Sequence, residues 1–310
     1  MRKQAVVGVL AMAVAIGTVG AVGAGALGGS SEKGSAGAGA GIEAKGGAGR
    51  LPEALAPSGL RAVGLTADQR LVSFRVDRPG AALPLGKVDG LKGDRTLVGI
   101  DHRVQNKALY AVGDQGGIYT IREVGARATK VSQLSVALQG KAFGVDFNPA
   151  ANRLRVISDT GQNLRHNLDD QAGAPAPGTT AVDGTLTNPP VPPNPGATAL
   201  GVTGAAYTNN DLDASTATTL FDLDTALDQV SVQSPANAGN LAPTGKPGVD
   251  APLNSGFDIH SSTRNGTNTG YAVTGRTAWR VNLLTGKLSS LGTFGHGRQV
   301  VDIALPLNQG

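Results

Sequence analysis

One phrase recurs along this chain: an apolar residue, glycine, an apolar residue and aspartate, in a setting that reads as a β-strand. It stands as VGID ending at Asp101, FGVD ending at Asp146 and SGFD ending at Asp258, with looser forms TGAA ending at Ala206 and VVD ending at Asp302. These end positions are 45, 60, 52 and 44 residues apart. Repeats of roughly 40–50 residues with β character are the mark of a propeller. Each copy is followed by further short strands, for example ALYAVG and GIYTIR after Asp101, or GYAVTG and AWRVNL after Asp258. A weaker fourth strand closes the unit, as in ATKVSQLS from Ala128 or KLSSLGTF from Lys287. Four short strands per unit make a propeller blade.

The ends are irregular in a complementary way. LRAVGL, RLVSFRV and ALPLGKV, between Leu60 and Val88, read as second, third and fourth strands with no first strand before them, whereas VVDIALPL near the C-terminus is a first strand with nothing after it. The predicted fold is therefore all-β, a five-bladed β-propeller closed by pairing the C-terminal strand with the N-terminal blade, which leaves no open edge at the seam. The repeated glycine fits this: first strands crowd the axis, and a missing side chain lets backbones approach. Gly99, Gly144, Gly204 and Gly256 are assigned that role, with Val300 the exception.

Composition agrees. The 310 residues hold 46 glycines against six Phe, four Tyr and one Trp, which points to many turns and to strands of Val, Leu and Ile. The chain opens with Arg2 and Lys3, runs uncharged through Gly29 and has small residues up to Ala26, the parts of a secretory signal over 1–26. An uncleaved membrane anchor is the competing reading. Residues 27–50, rich in Gly, Ala and Ser, read as a flexible linker, and 51–310 as the propeller domain. A secreted or envelope-associated protein is implied. The net charge of +4, two units of which belong to Arg2 and Lys3, argues against nucleic acid as a partner. The absence of cysteine excludes disulfides and thiol chemistry.

Three stretches, GVDFNPAANRLRVISDTGQNLRHN from Gly144, AAYTNN from Ala205, and TTLFDLDTALDQVSVQSPANAGNLAPTG from Thr218, resemble a bacterial family of secreted repeat proteins catalogued as domain of unknown function 4394. The resemblance extends from about Gly59 to Leu305 and implies no activity.

Two groups of residues carry candidate chemistry. Asp101, Asp146, Asp258 and Asp302 hold equivalent places in four blades. Turned toward the channel they would form an oxygen site for Ca²⁺ or Mg²⁺; turned into their own turns they would only cap them. The second group is the polar connection SDTGQNLRHN, where Asp159, Thr160, Gln162, Asn163 and Arg165 are the candidate contacts to an extracellular protein or glycan. NNDLDAS from Asn209 lacks the glycine and closing glutamate of a calcium loop and reads as a solvated loop. TNPPVPPNPG from Thr187 reads as a stiff excursion between blades. His102, His166, His260 and His296 make no metal motif, and no nucleophile elbow, phosphate loop or dinucleotide fingerprint appears. The expectation is a monomeric, non-catalytic binding or scaffolding module without a cofactor. The rival is a metal-dependent hydrolase or lactonase using the channel carboxylates, with His102 or His260 as base.

Overall fold

The second strands LYAVG, from Leu109, and GYAV, from Gly270, carry apolar residues on both faces, a pattern that requires cover from two sides. The computed structural model, which describes residues 59–307 apart from 214, and residue 309, supplies that cover with five four-stranded antiparallel sheets in a ring. The segments read as signal and linker lie outside the described residues.

The closing blade contains β1 (Arg61–Thr66), β2 (Arg70–Arg75) and β3 (Arg78–Lys87). The next holds β4 (Leu97–His102), β5 (Leu109–Gly113), β6 (Gly117–Arg122) and β7 (Arg127–Gln133). The third comprises β8 (Phe143–Asn148), β9 (Arg153–Ser158), β10 (Asn163–His166) and β11 (Thr180–Val182). The fourth has β12 (Val202–Tyr207), β13 (Leu220–Asp224), β14 (Gln229–Gln233) and β15 (Leu241–Gly245). The fifth is β16 (Ser255–Ser261), β17 (Asn268–Thr274), β18 (Thr277–Val281) and β19 (Leu288–Thr293), after which β20 (Val300–Ala304) returns to the closing blade. There β20 lies inside β1, with Val63 opposite Ala304 and Leu65 opposite Asp302, so the strand order is β20-β1-β2-β3. The closure expected from the two ends is present.

Short turns set the hairpins. Between β17 and β18 two residues, Gly275 and Arg276, reverse the chain, and Gly275 takes the left-handed φ of 57° that so tight a connection needs. TNPPVPPNPG forms an exposed excursion, pinned where Asn188 N–H donates to Ala197 O.

The hydrophobic core is divided into five, one part in each gap between blades. Strand β5 shows why: Leu109 and Ala111 pack with Leu65, Leu71 and Ile100 on one side, and Tyr110 and Val112 with Val145, Phe147 and Leu154 on the other. Successive side chains of a strand alternate in direction, so a middle strand feeds two cores at once. The gap between the fifth and closing blades is filled by Phe74, Tyr271, Val273 and Phe294, with the Phe74 and Phe294 rings edge to face at 4.9 Å.

Candidate functional site

Glycine and aspartate two residues apart in a strand share a face. On β4, β8 and β16 that face meets the next inner strand around the axis. A Cβ on Gly144 would lie 2.6 Å from Ala205 N, and one on Gly256 would lie 2.4 Å from Asp302 Cα. Glycine thus lets the neighbour close in, and the aspartate then pins it. Asp101 accepts the N–H of Phe147 at 2.7 Å, Asp146 that of Tyr207 at 3.1 Å, Asp258 that of Leu305 at 2.6 Å and Asp302 that of Ile100 at 2.7 Å. The four carboxylates are staples between blades. Asp101 and Asp258 also accept the N–H of the following residue, His102 and Ile259, each at 2.6 Å. Where Ala206 replaces the aspartate, Asn209 N–H donates to Ser261 Oγ at 2.7 Å and Thr203 Oγ1 donates to Ser255 O at 3.4 Å across the same joint.

The later ends of the inner strands gather at one mouth of the ring. Asp101, Asp146, Tyr207, Asp258 and Leu305 border a cavity of about 20 Å³ there, enough for one water or one ion. One oxygen from each of Asp101, Asp146 and Asp258 lies within 4.8 Å of the others. Asp302 stands outside this group, pressed against the positions of Gly99 and Gly256. Burial pushes all four carboxyls up: Asp101, Asp146 and Asp302 well above the ordinary range, Asp258 to about 7. Repulsion from Asp258 adds to the rise at Asp101, and repulsion from Asp101 and Asp258 to that at Asp146.

At the opposite mouth the starts of the same strands surround a wider pocket of about 270 Å³. Its apolar lining includes Leu97, Val98, Phe143 and Val301, and its rim carries Thr96, Lys141 and Asn254, whose side chains have no hydrogen-bond partner among the described residues. The second-strand aspartates build this rim. Asp114 Oδ1 accepts the N–H groups of Arg95 at 2.7 Å and Thr96 at 3.3 Å, and Asp159 Oδ1 those of Lys141 at 2.7 Å and Ala142 at 3.2 Å.

The remaining residues of the SDTGQNLRHN connection are turned to internal partners. Thr160 Oγ1 donates to Gln139 O at 3.0 Å, and Gln162 Nε2 to Ala137 O at 2.8 Å. Asn163, buried, accepts from Arg155 and donates to Gly184 O and Ala236 O; Arg165 pairs with Asp183 at 3.0 Å. Their placement shapes the loop bordering the pocket, which reaches the rim through Asp159 and the backbone of Lys141 and Ala142.

The histidines are dispersed. His102 Nε2 faces Glu123 at 3.5 Å, His260 Nε2 meets Gln309 O at 2.9 Å, and His166 bridges Ser132 and Thr180, each at 2.9 Å. Burial pushes His166 down to about 4, so it is neutral in the fold. In the third blade the sequence reading missed Arg155, buried and donating to Tyr207, Asn163, Asp183 and Asn237. The signal was an arginine inside RLRVIS, a strand otherwise built for burial. It also missed Asp222, whose two carboxylate oxygens are buried without a partner among the described residues and whose carboxyl burial raises well above the usual range.

Several solved structures share similarity with the chain. One is a structural genomics protein of unknown function from Bacteroides thetaiotaomicron, at 15% identity and TM-score 0.40, covering 79% of this chain and 60% of that one. A second is the extracellular domain of a provisionally named one-component system from the same species, at 12% and 0.37, covering 77% and 29%. A third, from Bacteroides fragilis and provisionally named a 6-phosphogluconolactonase, stands at 14% and 0.37, covering 75% and 81%. The chain thus spans less than two thirds of the length of the first two. No curated protein matches it significantly. A sequence model of the family described as Domain of unknown function (DUF4394) matches residues 70–304, and the chain belongs to that family.

Proposed function

We propose that this chain is an exported, non-catalytic binding module that takes its ligand at the wider mouth of the ring. The observation that carries this reading is the contrast between the mouths. Beside the carboxylates there is room for one water or ion and none for a substrate, whereas the opposite pocket of about 270 Å³ offers an ammonium, an amide and a hydroxyl that none of the described residues engages. Lys141 favours a ligand bearing carboxylate, and Thr96 and Asn254 suit hydroxyl groups, so the acidic sugars of a glycan fit the rim; Phe143 and Val301 offer an apolar floor. The basic start, apolar run and small residues before Leu27 support export.

Calorimetric titration with oligogalacturonate and with a neutral galactan tests the reading. The acidic glycan should bind, and Lys141→Ala should weaken it about tenfold, the loss expected from one charged hydrogen bond. No heat from either glycan, or unchanged affinity in both Lys141→Ala and Asn254→Ala, would overturn it.

A further inference from the structure

We propose that the hub holds one structural Ca²⁺ between Asp101, Asp146 and Asp258, tying three blades together at the axis. Each ligand comes from a different inner strand, so the ion would reinforce the joints that the backbone staples already make.

Spacing is the first argument. Two oxygens on opposite sides of Ca²⁺, each about 2.4 Å away, stand at most about 4.8 Å apart, and the three carboxylate oxygens lie within that span. Space is the second: the cavity they border, about 20 Å³, takes a single ion. The third argument is charge. Five backbone N–H groups donate to these carboxylates, which favours their ionised forms, yet no Lys or Arg is among the described residues around the cavity. In so dry a site the three carboxylates can be ionised together only beside a counter-charge, which a cation seated among them would supply. An independent observation comes from His102, which borders the same cavity with its side chain 3% exposed. Its Nε2 is turned to Glu123, and its Nδ1 is buried with no partner among the described residues. A buried polar atom left alone points to a missing water or ion. A water kept by the ion would supply the donor that this lone pair lacks. Asp146 accepts the Tyr207 N–H through Oδ1, and its Oδ2 makes no hydrogen bond among the described residues. The ligands are all oxygen, the preference of Ca²⁺ and unlike that of zinc.

The test uses the full chain purified without chelator, assayed for metal by mass spectrometry, then dialysed against EDTA and melted at pH 7.5 with about 1 mM CaCl₂ or MgCl₂. The expected result is about one Ca²⁺ per chain as purified, or a saturable rise in Tm of at least about 4 °C when Ca²⁺ is restored. Asp146→Asn should lose that rise, and Asp213→Asn, on an exposed loop, should keep it. A metal-free preparation whose Tm does not respond to Ca²⁺ would overturn the site, leaving protons as the counter-charge. An equal Ca²⁺ response in Asp146→Asn and wild type would overturn the ligand assignment. Neither result depends on glycan binding at the far mouth.

Discussion

A methyl group on Gly256 would sit 2.4 Å from the Cα of Asp302 and 2.6 Å from one of its carboxylate oxygens, in the next blade. Backbone cannot yield as a side-chain tip does. Gly256→Ala is therefore expected to destabilise by about 1–3 kcal/mol, the usual cost of overpacking, read from the midpoint of urea unfolding; an unchanged midpoint would mean that the inner strands have slack. Asp222 makes a different prediction. The fold holds its proton, so its contribution to stability is complete below the ordinary carboxyl value of 3.8 and is lost as pH rises through the raised folded value. His166, pushed down to about 4, acts in the other direction: its contribution is complete above 6.5 and lost as pH falls toward 4. Asp222→Asn, which carries no charge at any pH, should melt higher than wild type at pH 8 and draw level near pH 4. A constant difference across that range would show that Asp222 does not titrate with folding.

Among the elements, β20 bears more than its five residues suggest. It is the inner strand of the closing blade, it covers the edge of β1, and its Asp302 pins Ile100 of the next blade. Removing residues 300–310 would expose an unpaired strand at the axis and open two of the five cores, those holding Val300 and Ile303 and, on the other side, Ala304. The shortened chain should lose its cooperative melting transition, and a peptide of the missing segment added in trans should restore part of it. A truncated protein melting within about 3 °C of the full chain would show that the ring does not depend on its clasp. The joint between β12 and β16, fastened by Ser261 and Thr203 instead of a carboxylate, shows that the staple can be changed where the close approach is kept.

Across the whole molecule, the ring and its blade number could be read from the spacing of one short phrase, because each blade repeats the same local pattern of strands, and its closure from the complementary strands left over at the two ends. The direction of the repeated aspartates could not. Asp302 finds its partner at Ile100, in another blade and 202 residues away, and no spacing within a repeat encodes that contact. Asp114 and Asp159 each follow the second strand of their blades, yet their part in shaping the wider pocket depends on loops that fold back from the preceding connection. Arg155 and Asp222 went unread because a charged residue inside an apolar strand is intelligible only when the adjoining blade is in place. One last consequence follows from the antiparallel pairing of β1 with β20. Arg61 lies at the carboxylate end of the barrel of inner strands, where Gln309 contacts it, while Ala67 and Gln69 sit at the opposite rim. The first described strand therefore starts on the side of the narrow opening. A probe fixed to the ring at the exposed Arg61 would leave the roomy vestibule unobstructed and turned outward, as the lens of a lamp faces away from its bracket.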